Sequence, residues 1–178
     1  MPIIRRVLFI SVMLFFACAS HAATQTYKGV LSGAAEVPAT ASAGSGSVVI
    51  TYTAATHVMV VTGNFSGLSG TSTSAHIHCC IDPASNVMVA TQTPSFSGFP
   101  LGVTAGSYSN NFDLTLTSSF NSAFITAHGG TAAGAEIALL AGFATGTAYL
   151  DIHSTVFPGG EIRAQLPRDI FIDGFELP

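Results

Sequence analysis

The sequence predicts an all-β domain, an antiparallel β-sandwich or barrel-like fold with a small helical insertion near residues 118–142. Three observations carry this. The chain is rich in Gly, Ser, Thr and β-branched residues, a composition that favours strands and turns over helices. Its apolar residues recur at a period of two in many short runs separated by turn residues. Only one region, after Ser118, switches to helical spacing. Short alternating strands in this number indicate an antiparallel sandwich or barrel.

The elements follow in order. Thr26–Leu31 is a first strand closed by Ser32-Gly33, and Pro38 keeps the next loop out of any central ladder. Ser47–Thr53 and His57–Phe65 are two strands joined closely enough to form a hairpin. A Gly/Ser/Thr loop leads into a strand over Ser74–Cys80, ended by Asp82-Pro83. Asn86–Thr91 is a further short strand, and Thr93–Gly106 a Pro/Gly/Phe-rich loop. Ser107–Thr117 alternates with Phe112, Leu114 and Leu116 on one face. Ser118 caps a short helix carrying Phe120, Ala123, Phe124 and Ala127, stopped by Gly129-Gly130. Thr131 caps a second, carrying Ile137, Leu140 and Ala141 and ending at Gly142. In Thr147–His153, Ala148, Leu150 and Ile152 face one way and Tyr149, Asp151 and His153 the other. After the turn at Pro158-Gly159-Gly160, Glu161–Leu166 directs Ile162, Ala164 and Leu166 inward and Glu161, Arg163 and Gln165 outward. Arg163 is a structural salt-bridge candidate beside Glu161, with anion guidance as the alternative.

The ends differ from this middle. Arg5 and Arg6 precede an apolar run over Val7–Ala17, and Ser20-His21-Ala22 places small residues at a cleavage site. Residues 1–22 are therefore expected to be a secretory signal peptide, with lipoprotein processing at Cys18 as a lesser alternative. The domain then spans 23–166, and 167–178 is a short acidic-aromatic tail. The expected location is secreted or periplasmic, and no later segment is long and apolar enough to cross a membrane.

Charge narrows the partners. Charged residues are 8% of the chain. After cleavage three basic residues, Lys28, Arg163 and Arg168, face nine acidic ones. No basic patch exists to hold phosphates, so nucleic acid is not an expected partner. A metal ion or an extracellular protein is. Nothing in the sequence bears on oligomeric state.

The stretch Ala75-His76-Ile77-His78-Cys79-Cys80 carries the chemistry. Residues two apart on a strand share a face, so His76 and His78 project together, and Cys80 joins them if the strand continues. Such a comb suits copper or zinc, with the thiol tilting it toward Cu(I) or Zn(II). Cys79 points to the core. Adjacent cysteines can form a vicinal disulfide, stay free, pair between chains or bind metal. A distant ligand is needed, and His153 beside Asp151 is the best candidate, with Asp151 orienting the imidazole. The predicted metal residues are thus His76, His78, His153 and Cys80. His128 is a helix-end residue, His57 a surface residue, and Met59 and Met88 core filling. No Gly-x-Ser-x-Gly elbow, His-Glu-x-x-His motif or phosphate loop occurs, and no carboxylate pair has a glycosidase context.

Three ordered motifs resemble one family. Leu31-Ser-Gly-Ala-Ala-Glu-Val-Pro38, Ala75-His-Ile-His78, and Tyr149–Ser154 with Pro158-Gly-Gly-Glu-Ile-Arg-Ala-Gln-Leu166 are similar to the opening, centre and close of the CHRD (chordin-type) domain. The resemblance spans about Tyr27 to Leu166. It implies an extracellular all-β module rather than a particular activity, and it implies pairing of His76 and His78 with His153. Cys79-Cys80, Ser154 and Ala164 depart from the family pattern of Gly-Pro or Gly-Ala, Thr and Gly. The expected function is a secreted binding module holding copper or zinc through a histidine cluster. The alternatives are a metal-free interaction module, or a copper redox enzyme by analogy with the His-x-His strand of Cu/Zn superoxide dismutase.

Overall fold

A computed structural model describes residues 24–168. The expected signal peptide and most of the tail lie outside these residues. Among the described residues seven strands form one antiparallel sheet, in the order β4-β6-β7-β1-β2-β3-β5, curved into a half-barrel. The strands are β1 (Thr24–Ser32), β2 (Ser45–Thr53), β3 (Val58–Ser66), β4 (Ser72–His78), β5 (Gly106–Asp113), β6 (Tyr149–Ser154) and β7 (Ile162–Gln165). Two helices, α1 (Ser122–Ala127) and α2 (Ala132–Thr145), lie between β5 and β6. The barrel-like form of the expectation holds, with a single curved sheet in place of two facing ones.

The core follows from alternation. Tyr27 and Leu31 of β1, Val48, Ile50 and Tyr52 of β2, and Met59, Val61 and Phe65 of β3 all point inward and are almost fully buried. Ala75 and Ile77, Leu150 and Ile152, and Ile162 and Ala164 continue this face across β4, β6 and β7. The helices add Phe124, Leu139 and Phe143, the last stacked on Tyr27 with ring centroids 4.5 Å apart.

Several expectations are corrected. Asn86–Thr91 is not a strand: it makes only isolated bridges, His78 with Val89 and Thr91 with Phe120. Strand β4 ends at His78, so Cys80 does not extend the histidine comb. Helix α1 is capped by Asn121, whose side chain accepts from the Ala123 amide, and Thr117–Ser119 is a separate 3-10 turn. Thr131 caps α2 as expected. That helix runs through Gly142 to a left-handed Gly146 (φ 69°), a conformation that costs glycine nothing. Its buried face is Ala135, Glu136, Leu139, Gly142 and Phe143, leaving Ile137 70% exposed. Met59 is in the core, but Met88 is exposed. Glu161 and Arg163 are buried instead of facing solvent, because loops cover that side of β7.

The loop from 79 to 105 has a positioning role. Among the described residues, edge strand β4 has no strand partner on its outer side, and this loop takes its place. Ala90 N donates to Ile77 O (2.8 Å), Phe96 N to Ala75 O (3.1 Å) and Ser72 N to Val103 O (2.8 Å). Thr91 Oγ1 and Ser95 Oγ accept from the amides of Ile77 and Ala75. The edge is thereby satisfied without a regular ladder.

Candidate metal centre

Strands β4 and β6 pair antiparallel, with His76 opposite Asp151, His78 opposite Tyr149 and Ser74 opposite His153. Alternation places His76, His78, Asp151 and His153 on the same face of this pair, away from Ile77 and Leu150. The result is a cluster of three imidazoles and one carboxylate whose candidate ligand atoms all lie within 4.8 Å of one another.

Backbone carbonyls orient each ring. His76 Nε2 lies 2.8 Å from Pro94 O, His78 Nδ1 2.7 Å from Val87 O, and His153 Nδ1 2.9 Å from Pro158 O. A carbonyl only accepts, so each of these nitrogens carries the proton. In the neutral rings the opposite nitrogens, His76 Nδ1, His78 Nε2 and His153 Nε2, present lone pairs. These three and Asp151 Oδ1 are buried and, among the described residues, make no hydrogen bond of good geometry. His78 Nε2 and His153 Nε2 approach Asp151 Oδ1 to 3.2 and 3.3 Å. Lone pairs facing a carboxylate at that range repel unless a cation, a proton or a metal ion, lies between them.

The electrostatics agree. Burial alone would raise the pKa of Asp151, but His153 and His78 beside it outweigh burial and hold the carboxyl below its ordinary range. Burial would lower His153, and the Asp151 carboxylate reverses that and raises it. His76 is lowered, chiefly by burial, which disfavours its charged form. The carbonyls and Asp151 thus prepare a set of nitrogen and oxygen donors.

Three residues flank this set. The Tyr149 ring lies parallel to His78, with centroids 4.8 Å apart and an interplanar angle of 4°. Arg163 sits over the other face of Tyr149, its Cζ 3.8 Å from the centroid. Arg163 pairs with Glu36 Oε2 at 3.1 Å and also donates to Asn86 Oδ1. Burial, reinforced by Asp151, pushes the Glu36 carboxyl up to about 7 despite that pair.

The family model of the CHRD domain matches residues 27–166. The chain belongs to the CHRD domain family. The match covers every strand that carries the cluster and the Glu36 loop. No curated protein and no solved structure matches the chain significantly. Among the described residues no helix is long and apolar enough to cross a membrane.

Of the four predicted metal residues of this CHRD chain, the fold brings His76, His78 and His153 together. It does not bring Cys80. Its sulfur is bonded to Cys79 and lies 3.3 Å from Ala138 O on α2. A disulfide sulfur is not the thiolate a metal site uses. Asp151, expected to orient an imidazole, points its own oxygen into the centre. Its position on the polar face of β6 with His153 was the signal for this role. His57 is half-exposed but not free: Nδ1 lies 2.9 Å from Oε1 of Glu136, which also accepts from Tyr52. His128 ends α1 as expected, packed on Phe124.

Proposed function

We propose that this CHRD chain is an exported binding module that holds one zinc or copper(II) ion through His76 Nδ1, His78 Nε2 and His153 Nε2, with Asp151 Oδ1 as the fourth donor. The observation that carries this reading is the meeting of four buried donor atoms in one place, Asp151 Oδ1 at ion-pair distance from His78 Nε2 and His153 Nε2, and His76 Nδ1 with no hydrogen-bond partner among the described residues. Native structures rarely leave even one such atom without a reason. Three nitrogens and a carboxylate oxygen suit Zn(II) and Cu(II). Without Cys80 the donor set has no soft ligand to favour Cu(I). The Arg5–Ala22 leader pattern supports export.

A second reading has a specific observation in its favour. In the absence of metal, a proton on His153 Nε2 supplies the cation that Asp151 needs, consistent with the raised His153. The domain is then a metal-free interaction module. A copper redox enzyme would need an open coordination position reached by substrate. The four donor atoms are sealed from solvent.

Isothermal titration of the metal-free protein with zinc and with copper(II) separates these readings. One ion per chain is expected, with affinity at least about 100-fold weaker in His76→Ala/His78→Ala and in His153→Ala. Equal affinity in wild type and variants would refute the metal reading.

A further inference from the structure

The Cys79–Cys80 disulfide adjoins the cluster but takes no part in it. Its two sulfurs have unequal surroundings. Cys79 is 1% exposed, whereas Cys80 is at the surface. Both rest on α2: each sulfur faces Ala138 O, and a Cβ at Gly142 would fall well inside contact distance of Cys79 Sγ and 2.9 Å from Cys80 Sγ. A mid-helix glycine costs about 1 kcal/mol relative to alanine. Here it provides the seat that the disulfide occupies.

The same two residues are tied to the segment that orients His78. Cys79 N donates to Met88 O (3.4 Å), the His78 ring to Val87 O (2.7 Å), and His78 bridges Val89. Val87 N in turn donates to Tyr149 Oη (3.3 Å), the ring stacked on His78. A change in the Cys79–Cys80 backbone therefore reaches His78 through its hydrogen-bond acceptor.

We propose that Cys79–Cys80 is a redox-active disulfide whose substrate is a thiol or dithiol reductant, and that its opening repositions His78. The reductant's thiolate attacks the exposed Cys80 sulfur. The Cys79–Cys80 bond breaks, Cys79 leaves as a thiolate and takes a proton, and a mixed disulfide forms on Cys80. A second thiolate of the reductant attacks its own sulfur in that mixed disulfide and releases Cys80 as the second thiol. Two electrons and two protons pass to the protein and the reductant becomes a disulfide. The freed sulfurs move apart to van der Waals separation. Cys79 is buried and closest to Gly142, whereas Cys80 is at the surface, so the displacement falls on Cys80 and the chain leading to Met88. The effect on a bound ion rests on the metal reading; the reduction and the His78 shift do not.

The test uses metal-free protein purified without reductant. It is treated while folded with millimolar dithiothreitol, desalted under nitrogen, and examined by alkylation mass spectrometry and imidazole NMR. The expected result is a disulfide opened in the folded state, with Cys80 alkylated about tenfold faster than Cys79. His78 cross-peaks move, those of His57 and His128 stay, and Cys79→Ala/Cys80→Ala does not respond to dithiothreitol. Opening only after denaturation, faster labelling of Cys79, or unmoved His78 signals would overturn the proposal. Zinc affinity is then compared between the two redox states, with a change of about tenfold expected. Equal affinity overturns the coupling to the site. Absence of binding in both states overturns the metal reading alone, since the NMR result is obtained without metal.

Discussion

A backbone carbonyl can only accept, and that asymmetry governs this centre at the scale of single residues. Pro94, Val87 and Pro158 each take the proton-bearing nitrogen of one imidazole and leave the other for the cluster, those of His78 and His153 lying 3.2 and 3.3 Å from Asp151 Oδ1. Glu36 extends the same logic outward. Its carboxyl is raised from 4.5 to about 7, first by burial and then by Asp151. A raised acid binds its proton more tightly in the folded state, so its contribution to stability is full below about 4.5 and is lost as pH rises to about 7. Urea unfolding of metal-free protein across that window should show stability falling by on the order of 1 kcal/mol per pH unit, with that slope reduced in Glu36→Gln. An unchanged slope in the variant would remove Glu36 from this role. The histidine face was legible because alternation alone assigns His76, His78 and His153 to polar faces. Arg163 was not: alternation says which face a side chain takes, not whether a distant loop covers it. The Glu36 and Ser85–Asn86 loops do so here.

Helix α2 shows the corresponding limit among elements. Thr131 marked its start correctly, since a threonine before an apolar-periodic run is a local signal. Its end was misplaced at Gly142, because a glycine read locally is a stop while this one is a packing seat. Gly142→Ala should therefore lower stability by about 1–2 kcal/mol, overpacking against the sulfurs outweighing the gain in helix propensity. In the Cys79→Ala/Cys80→Ala background the sign should invert, with alanine now favoured by up to about 1 kcal/mol. Thermal or denaturant unfolding of the four proteins reads this directly, and additive effects would refute the seat. Asn86–Thr91 failed as a strand for a related reason. Its apolar alternation serves to cover β4 through side-chain hydroxyls and scattered amides instead of a ladder.

Across the whole molecule, the half-barrel brings the two histidine-bearing strands side by side at one end of the sheet. Period-two patterning predicted the antiparallel class. The order of the strands was not legible, because register between distant segments is set by the closed core and not by any one strand. The ion proposed between β4 and β6 would cross-link that end of the fold, and the unfolded chain has no such site. Free zinc at about 100 times its Kd should therefore add about 2.7 kcal/mol to stability, seen as a melting temperature several degrees higher. The shift should vanish with EDTA and in His153→Ala; an equal shift in that variant would place the ion elsewhere. The β4–β6 pairing also sets when the centre can exist. Residues 79–148 separate the two strands, so the donors meet only after a long loop has closed, among the slower events of folding. A chain emerging N-terminus first carries His76 and His78 long before it carries Asp151 and His153. Nascent or truncated chains lacking β6 therefore lack half of the donor set, and under the proposed metal function an ion would load only after the fold is complete.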